Sequence, residues 1–132
     1  MISSYRGRIA LRVLAAFYWL GIFTLTHLPP SELPKTKVSD KFAHFTVYSL
    51  LCVLLYVCLW SAKRSIWRTA GLVIAIALIY GALDELTQPF FGRDCSLYDW
   101  FADAGGTLTV VTILTIIRLL VYRTGDSPRP AA

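Results

Sequence analysis

Charged residues are scarce in this sequence: only 16% of its 132 residues are Asp, Glu, Lys or Arg. By contrast, 56% of the residues are hydrophobic and the mean hydropathy is +0.58, well away from the balance of a soluble domain. A soluble core of this size could not bury so many apolar side chains, whereas a bilayer solvates them directly in spans of about 20 residues. The composition therefore predicts an integral membrane protein.

Cysteine is also rare, and the three cysteines show no disulfide framework. Cys52 and Cys58 point to different sides of one helix, and Cys95 falls in a loop. No nucleophile elbow, phosphate-binding glycine loop, H-E-x-x-H or C-x-x-C motif is present, so no standard motif of a soluble enzyme is available. The first apolar run has no small-residue cleavage site after it, and we interpret it as a retained span rather than a signal peptide.

The apolar residues gather in long runs. The predicted spans are about 9–28, 41–60, 69–86 and 97–121. We expect a single all-α domain, an integral membrane four-helix transmembrane bundle over residues 1–132, with a disordered tail at 124–132. Ala77 and Gly81, like Ala102 and Gly106, have the small-xxx-small spacing that favours close helix packing.

Basic residues predict the orientation of the bundle. Nine of them would lie on one side of the membrane: Arg6, Arg8, Arg12, Lys63, Arg64, Arg68, Arg118, Arg123 and Arg129. Four would lie on the other: Lys35, Lys37, Lys41 and Arg93. The positive-inside rule then predicts a multi-pass membrane protein with both termini in the cytoplasm. Because the net charge of +5 follows this topology rather than a soluble basic face, we expect no nucleic-acid partner.

Three predicted helices carry a polar stripe at the same, outer, membrane level. Unpaired charge is costly in a bilayer, so these stripes should face one another rather than lipid. The sequence therefore predicts an outward-opening polar pocket. Its candidate ligand-binding residues are Asp40, Lys41, His44, Tyr48, Glu85, Gln88, Arg93, Ser96, Asp99 and Asp103.

Structural roles account for several of these residues one at a time. Ser96 and Asp99 have the spacing of a helix capping box, and His44 can hydrogen-bond to Tyr48. Acids outnumber bases, however, so either some carboxyls are neutral or a cation occupies the site. A divalent metal held by His44 with Glu85, Asp99 or Asp103 suits this chemistry, although the spacing does not demand a metal and no cofactor is required.

The polar stripes carry a family resemblance. The pattern Asp40-Lys41-x-x-His44-x-x-x-Tyr48, Glu85-x-x-Gln88 and Arg93-x-x-Ser96-x-x-Asp99-x-x-x-Asp103-x-x-Gly106 resembles the VanZ-like family of small bacterial membrane proteins. It covers roughly residues 39–120, and Asp103 stands where such proteins often carry Asn. The resemblance implies a multi-pass protein of the bacterial cytoplasmic (inner) membrane that is linked, through the family's namesake, to reduced susceptibility to teicoplanin-type glycopeptide antibiotics.

Two hypotheses follow for the function. In the first, the pocket recognises an anionic or polyhydroxylated envelope component, such as a lipid-linked cell-wall precursor, a phospholipid or a glycopeptide antibiotic, with Lys41 and Arg93 engaging phosphate or carboxylate. In the second, the protein is a membrane enzyme acting on a lipid-linked substrate, with Glu85 or Asp99 as general base and His44 as acid or base. Proton-coupled transport is disfavoured, since the carboxylates sit at one end of the bundle. If the site is functional, replacing Glu85 or Asp99 with Ala should abolish function and leave helix content intact.

Overall fold

The computed structural model describes residues 5–29, 31–32, 38–60 and 64–125. Over these ranges the secondary structure is helical, without strands, and consists of four long helices and one short 3₁₀ turn. The long helices are α1 (Tyr5–His27), α2 (Asp40–Leu59), α3 (Ile66–Thr87) and α4 (Leu97–Gly125), and the 3₁₀ turn is Gln88–Phe91. Each long helix coincides with one predicted span, so the all-α architecture is confirmed.

All four helices are long and apolar enough to cross a membrane. Large apolar side chains cover their outer faces; Phe17 is 70% exposed and Ile79 is 62% exposed. Continuous apolar surface of this kind is typical of contact with lipid. The protein is therefore a multi-pass membrane protein whose surroundings are a lipid bilayer, and the side of the membrane that its termini face stays a prediction.

Consecutive helices run antiparallel. At one end of the bundle the last turn of α1 meets the last turn of α3, as in the hydrogen bond from Thr26 to Asp84. At the same end the first turns of α2 and α4 meet, as in the contact of His44 with Asp103. Helix α4 packs mainly on α2 and α3, while α1 lies against α2 and touches α3. Fully buried apolar side chains fill the centre, among them Tyr48, Leu51, Tyr56 and Val73.

Glycine allows two of the helix contacts that shape the polar end. A Cβ on Gly106 would collide with the backbone carbonyl oxygen of Phe45 and lie 2.8 Å from Ser49 Oγ. A Cβ on Gly81 would lie 3.2 Å from Asp103 Oδ2. The predicted small-residue positions therefore bring α4 close to both α2 and α3.

Arg118, one of the basic residues that predict the orientation of the bundle, is not a surface residue. Its side chain is fully buried, and its guanidinium donates hydrogen bonds to Thr69 Oγ1 (3.0 Å) and to the Arg64 carbonyl oxygen (2.8 Å). The guanidinium also lies over the rings of Trp60 and Tyr122, 5.1 and 5.7 Å from their centroids. Arg118 thus ties α4 to the start of α3 and to the end of α2.

Parts of the topology prediction lie outside the described residues. These include the loop charges Lys35, Lys37, Lys63 and Arg129. Residues 126–132 of the predicted tail also lie outside them, whereas Thr124 and Gly125 belong to α4.

The orientation can be tested through Cys95. This thiol is exposed just before α4, whereas Cys52 is buried and Cys58 is half-buried. If the termini are cytoplasmic, a membrane-impermeant maleimide added to intact cells should label Cys95 without permeabilisation. As a control, a Ser65→Cys variant in a Cys95→Ala background, exposed at the opposite end of the bundle, should react only after permeabilisation. The reverse pattern for the two sites would invert the topology.

Candidate functional site

Three buried ionisable side chains from three helices meet at one end of the bundle. His44 of α2 places its Nδ1 3.0 Å from Asp103 Oδ1 of α4 and 3.8 Å from Glu85 Oε1 of α3. Their exposed fractions are 5% for His44, 3% for Glu85 and zero for Asp103. Among the described residues, no lysine or arginine forms an ion pair with Glu85 or Asp103. His44 is therefore the basic partner of both carboxyl groups within this inner cluster, as we name His44, Glu85 and Asp103.

Glu85 also holds the start of α4. Its Oε2 accepts a hydrogen bond from the Ser96 backbone N–H at 2.8 Å, and its Oε1 accepts one from Gln88 Nε2 at 3.2 Å. Ser96 Oγ in turn accepts the Asp99 backbone N–H at 3.3 Å. Half of the predicted capping box is thus observed, but Glu85 rather than Asp99 binds the Ser96 amide. The Asp99 carboxylate instead pairs with Lys41, whose Nζ lies 3.7 Å from Asp99 Oδ1.

A second buried histidine and carboxylate lie beside the inner cluster. Asp84 is 1% exposed, accepts a hydrogen bond from the Thr26 hydroxyl at 2.9 Å, and lies 3.7 Å from His27 Nδ1. His27 Nε2 lies 2.9 Å from Thr87 Oγ1. Gln88 bridges the two groups, because its Nε2 also lies 3.4 Å from Asp84 Oδ2. Helix α1 therefore supplies a fourth wall.

Two ion pairs form an outer layer over the inner cluster. Lys41 Nζ lies 3.7 Å from Asp99 Oδ1, and Arg93 Nη2 lies 3.4 Å from Asp40 Oδ2. The side chains of Lys41 and Asp40 are 62% and 54% exposed, while those of Asp99 and Arg93 are 11% and 10% exposed. Helices α2 and α4 both begin at this surface, and their N-terminal dipole ends favour negative charge there. Exposure therefore falls from this layer toward the inner cluster.

Several buried polar atoms at this end have no hydrogen-bond partner among the described residues. They include the Tyr48 hydroxyl, Asp103 Oδ2 and Asp99 Oδ1. Tyr48 is fully buried, and its ring stacks with that of His44 at a centroid distance of 6.5 Å. An unsatisfied buried polar group costs about 1–3 kcal/mol, so a cluster of them calls for an explanation.

Two sets of side chains here could hold a cation. The sets are Asp40, His44 and Asp99, and His44, Glu85 and Asp103, each with ligand atoms within 4.8 Å of one another. In the first set both carboxylates already pair with a lysine or an arginine. In the second, both are buried and lack such a partner among the described residues. The second set is therefore the better candidate on charge.

A comparison with protein families agrees with the polar pattern. The family model described as VanZ/LLP1 matches residues 5–118. The chain belongs to this VanZ-like family. The match extends through α1 and most of α4, so it includes all four helices. No curated protein and no solved structure matches the chain.

In this VanZ-like protein, the ten predicted site residues all lie at one end of the bundle. The residues buried beneath the outer layer are His44, Tyr48, Glu85, Gln88 and Asp103. The outer ones are Asp40, Lys41, Arg93, Ser96 and Asp99. The arrangement is more closed than the expected outward-opening pocket, because the inner members are buried and each outer base pairs with a carboxylate. Their roles in catalysis or binding stay predictions.

Three residues outside the predicted set of site residues help to build the wall of the site: Thr26, His27 and Thr87. His27 is 5% exposed and packs on the rings of Phe23 and Phe91. The available signal was position, since Thr26 and His27 end α1 at the level where Asp84 and Glu85 end α3.

A cavity of about 680 Å³ lies at the opposite end of the bundle, between α1, α2 and α4. Arg8 and Arg12 stand at it, and the rest of its lining is mostly apolar or aromatic. It is far from the inner cluster, so the cavity and the buried ionisable residues lie at opposite ends of the bundle. We place the candidate site at the inner cluster because ionisable groups inside a membrane protein are costly without a role.

Proposed function

We propose that this VanZ-like protein binds the polar head group of an anionic or polyhydroxylated envelope amphiphile at the outer face of the bacterial cytoplasmic membrane. The observation that carries the proposal is the layering of the site: Lys41 is exposed, Arg93 pairs with the exposed Asp40, and buried carboxylates with His44 lie beneath. Such an arrangement offers a charged entrance and a polar floor within reach of a lipid head group.

The outer layer suits an anion. Lys41 is exposed where α2 and α4 begin, and Arg93 reaches the same layer through its ion pair with the exposed Asp40, so a phosphate or carboxylate there would interact with two cationic side chains and two helix dipoles. Because the Lys41 side chain is 62% exposed, its ammonium is open to an anionic head group while Asp99 stays in place beneath it.

The floor of the site suits hydrogen-bond donors. Asp99 Oδ1 and Asp103 Oδ2 are buried acceptors that receive no hydrogen bond from the described residues, although Asp99 Oδ1 lies 3.7 Å from Lys41 Nζ. Sugar hydroxyls or amides would satisfy them, and a lipid-linked cell-wall precursor or a teicoplanin-type glycopeptide offers both groups. Binding of either compound would connect the site to the lowered teicoplanin susceptibility that the family name suggests.

A binding measurement tests the proposal. In lipid nanodiscs, the protein should bind a labelled lipid-linked cell-wall precursor or labelled teicoplanin saturably, and Lys41→Ala should weaken the binding about tenfold, equivalent to 1.4 kcal/mol. The matched control is Arg68→Ala, which removes an exposed basic side chain at the opposite end and should leave the affinity unchanged. Absence of saturable binding, or equal losses in the two variants, would reject the proposal.

An enzymatic role is the second candidate, and the His44–Asp103 contact favours it. A carboxylate 3.0 Å from an imidazole fixes its orientation, which is what a general acid or base requires. Glu85 or Asp99 would act as a further base on a lipid-linked substrate. Incubation with the labelled precursor separates the two candidates: product that disappears in a His44→Gln variant supports catalysis, and saturable binding without product supports recognition alone.

A further inference from the structure

The inner cluster carries more negative charge than its surroundings balance. Glu85 and Asp103 are buried side by side, and the described residues offer them His44 but no lysine or arginine. Burying a carboxylate without a partner costs several kcal/mol, so a cluster of this kind needs either bound protons or a cation. A bound cation, unlike bound protons, requires the donor atoms of His44, Glu85 and Asp103 to lie at the distances found between the ligands of one metal ion.

The ligand atoms of the inner cluster have the spacing of a metal site. Donors that bind one ion at 2.0–2.2 Å lie about 3–4 Å from one another. His44 Nδ1 lies 3.0 Å from Asp103 Oδ1 and 3.8 Å from Glu85 Oε1, with each residue on a different helix. One imidazole and two carboxylates on three rigid helices can therefore surround a single ion and leave coordination positions open.

Tyr48 adds an independent indication of a ligand. Its side chain is fully buried, and its hydroxyl has no hydrogen-bond partner among the described residues. Its ring edge and Asp103 Oδ2 approach the same point over Gly81, at 3.3 and 3.2 Å from the position a Cβ would take there. A buried hydroxyl donor and the Asp103 Oδ2 acceptor, both without a hydrogen bond from the described residues, are suited to a water molecule held on a metal ion.

We propose that His44, Glu85 and Asp103 bind one divalent transition-metal ion of the Zn²⁺ or Mn²⁺ type. The imidazole ligand favours Zn²⁺ over Mg²⁺ and Ca²⁺, which prefer oxygen ligands, and the two carboxylates also suit Mn²⁺. The outer set is a poorer site, because Asp40 pairs with Arg93 and Asp99 pairs with Lys41. The inference rests on the site of the proposed function, but not on which head group that site recognises.

The test uses the full chain, purified in detergent without a polyhistidine tag and stripped with EDTA. Calorimetric titration with Zn²⁺ or Mn²⁺ should show one saturable site per chain. Glu85→Gln and Asp103→Asn should each weaken the affinity at least tenfold, since even the loss of an outer partner of a metal ligand costs 10–100-fold. The matched controls are Asp40→Asn and Asp99→Asn, which remove the same charge from the outer set and should change the affinity less than threefold.

A second measurement on the unmodified protein guards against variants that fail to fold. X-ray absorption of the Zn²⁺-loaded protein should show only nitrogen and oxygen ligands near 2.0–2.2 Å, including imidazole. Absence of saturable binding, a sulfur-containing shell or larger losses in the Asp40 and Asp99 variants would each overturn the assignment.

Head-group binding is measured separately, with and without the metal. If the metal binds as expected but neither labelled amphiphile binds, the proposed function fails and the metal site stands. If an amphiphile binds equally well to stripped protein that takes up no metal, the metal site fails and the proposed function stands.

Discussion

Glu85→Ala is expected to lower the free energy of unfolding by about 3 kcal/mol, because it removes one partner of a buried charged pair. The carboxylate accepts the Ser96 backbone N–H at 2.8 Å and the Gln88 amide at 3.2 Å, and it lies 3.8 Å from His44. Alanine would leave the start of α4 uncapped and His44 with a single carboxylate. The substitution that the sequence suggested as a test of function therefore also removes a structural contact.

Glu85→Gln separates the two roles. A glutamine oxygen can still accept the Ser96 N–H, so we expect most of the stability to remain, with a loss of about 1 kcal/mol for weakening a charge-assisted hydrogen bond. The negative charge is gone, however, so head-group binding or turnover should fall at least tenfold if the carboxylate acts in the site.

Thermal unfolding in detergent, followed by tryptophan fluorescence, measures the stability of both variants. Glu32→Ala is the matched control: it removes an exposed loop carboxylate and should change stability by less than about 0.5 kcal/mol. If Glu85→Ala unfolds like Glu32→Ala, the capping contact contributes nothing. If Glu85→Gln keeps full function, the charge of Glu85 has no part in it.

The periodicity of the sequence was sufficient to predict the helices and much of the site. Long apolar runs indicate spans because a bilayer requires them, and the spacing of Lys41, His44 and Tyr48 places them on one side of α2. The requirement that charged groups avoid lipid then predicts that the polar stripes of α2, α3 and α4 face one another. The contacts of His44 with Glu85 and Asp103 confirm that these stripes converge.

Contacts that depend on tilt and rotation of whole helices could not be predicted in this way. Thr26 and His27 end an apolar helix without a polar stripe, so only their level in the membrane, and no periodic pattern in α1, indicates that its last turn contacts Asp84. Likewise, Arg118 lies near a helix end, where a long side chain can either reach the interface or fold inward. Its two hydrogen-bond acceptors, Thr69 Oγ1 and the Arg64 carbonyl oxygen, are about fifty residues away in sequence, and two aromatic rings also pack on it.

Competition between caps explains the error at the start of α4. The spacing of Ser96 and Asp99 predicts a reciprocal cap within one helix, and half of it forms. Glu85 is nearer to the Ser96 amide because the 3₁₀ turn after α3 folds the chain back onto that helix. A local motif was therefore displaced by a contact eleven residues away in sequence.

Gly106→Ala is expected to destabilise the bundle by about 2–3 kcal/mol, at the upper end of the usual cost of overpacking. The added methyl group would collide with the Phe45 backbone carbonyl and approach Ser49 Oγ to 2.8 Å, so α2 and α4 must separate. Because a backbone atom cannot turn aside as a side chain can, the whole contact between the helices has to shift. His44 and Asp103, one on each helix, should then lose their 3.0 Å contact.

Gly105→Ala provides the matched control on the neighbouring residue. A Cβ there would lie 3.6 Å from the Phe45 ring, an ordinary van der Waals distance, and alanine favours a helix over glycine by roughly 0.5–1 kcal/mol. We therefore expect the two variants to move the unfolding temperature in opposite directions, with loss of metal and head-group binding only in Gly106→Ala. If both substitutions are tolerated equally, the close approach of α2 to α4 does not hold the site together. Loss of metal and head-group binding in Gly106→Ala alone would instead show that the inner cluster requires the close approach of α2 to α4 that glycine at position 106 allows.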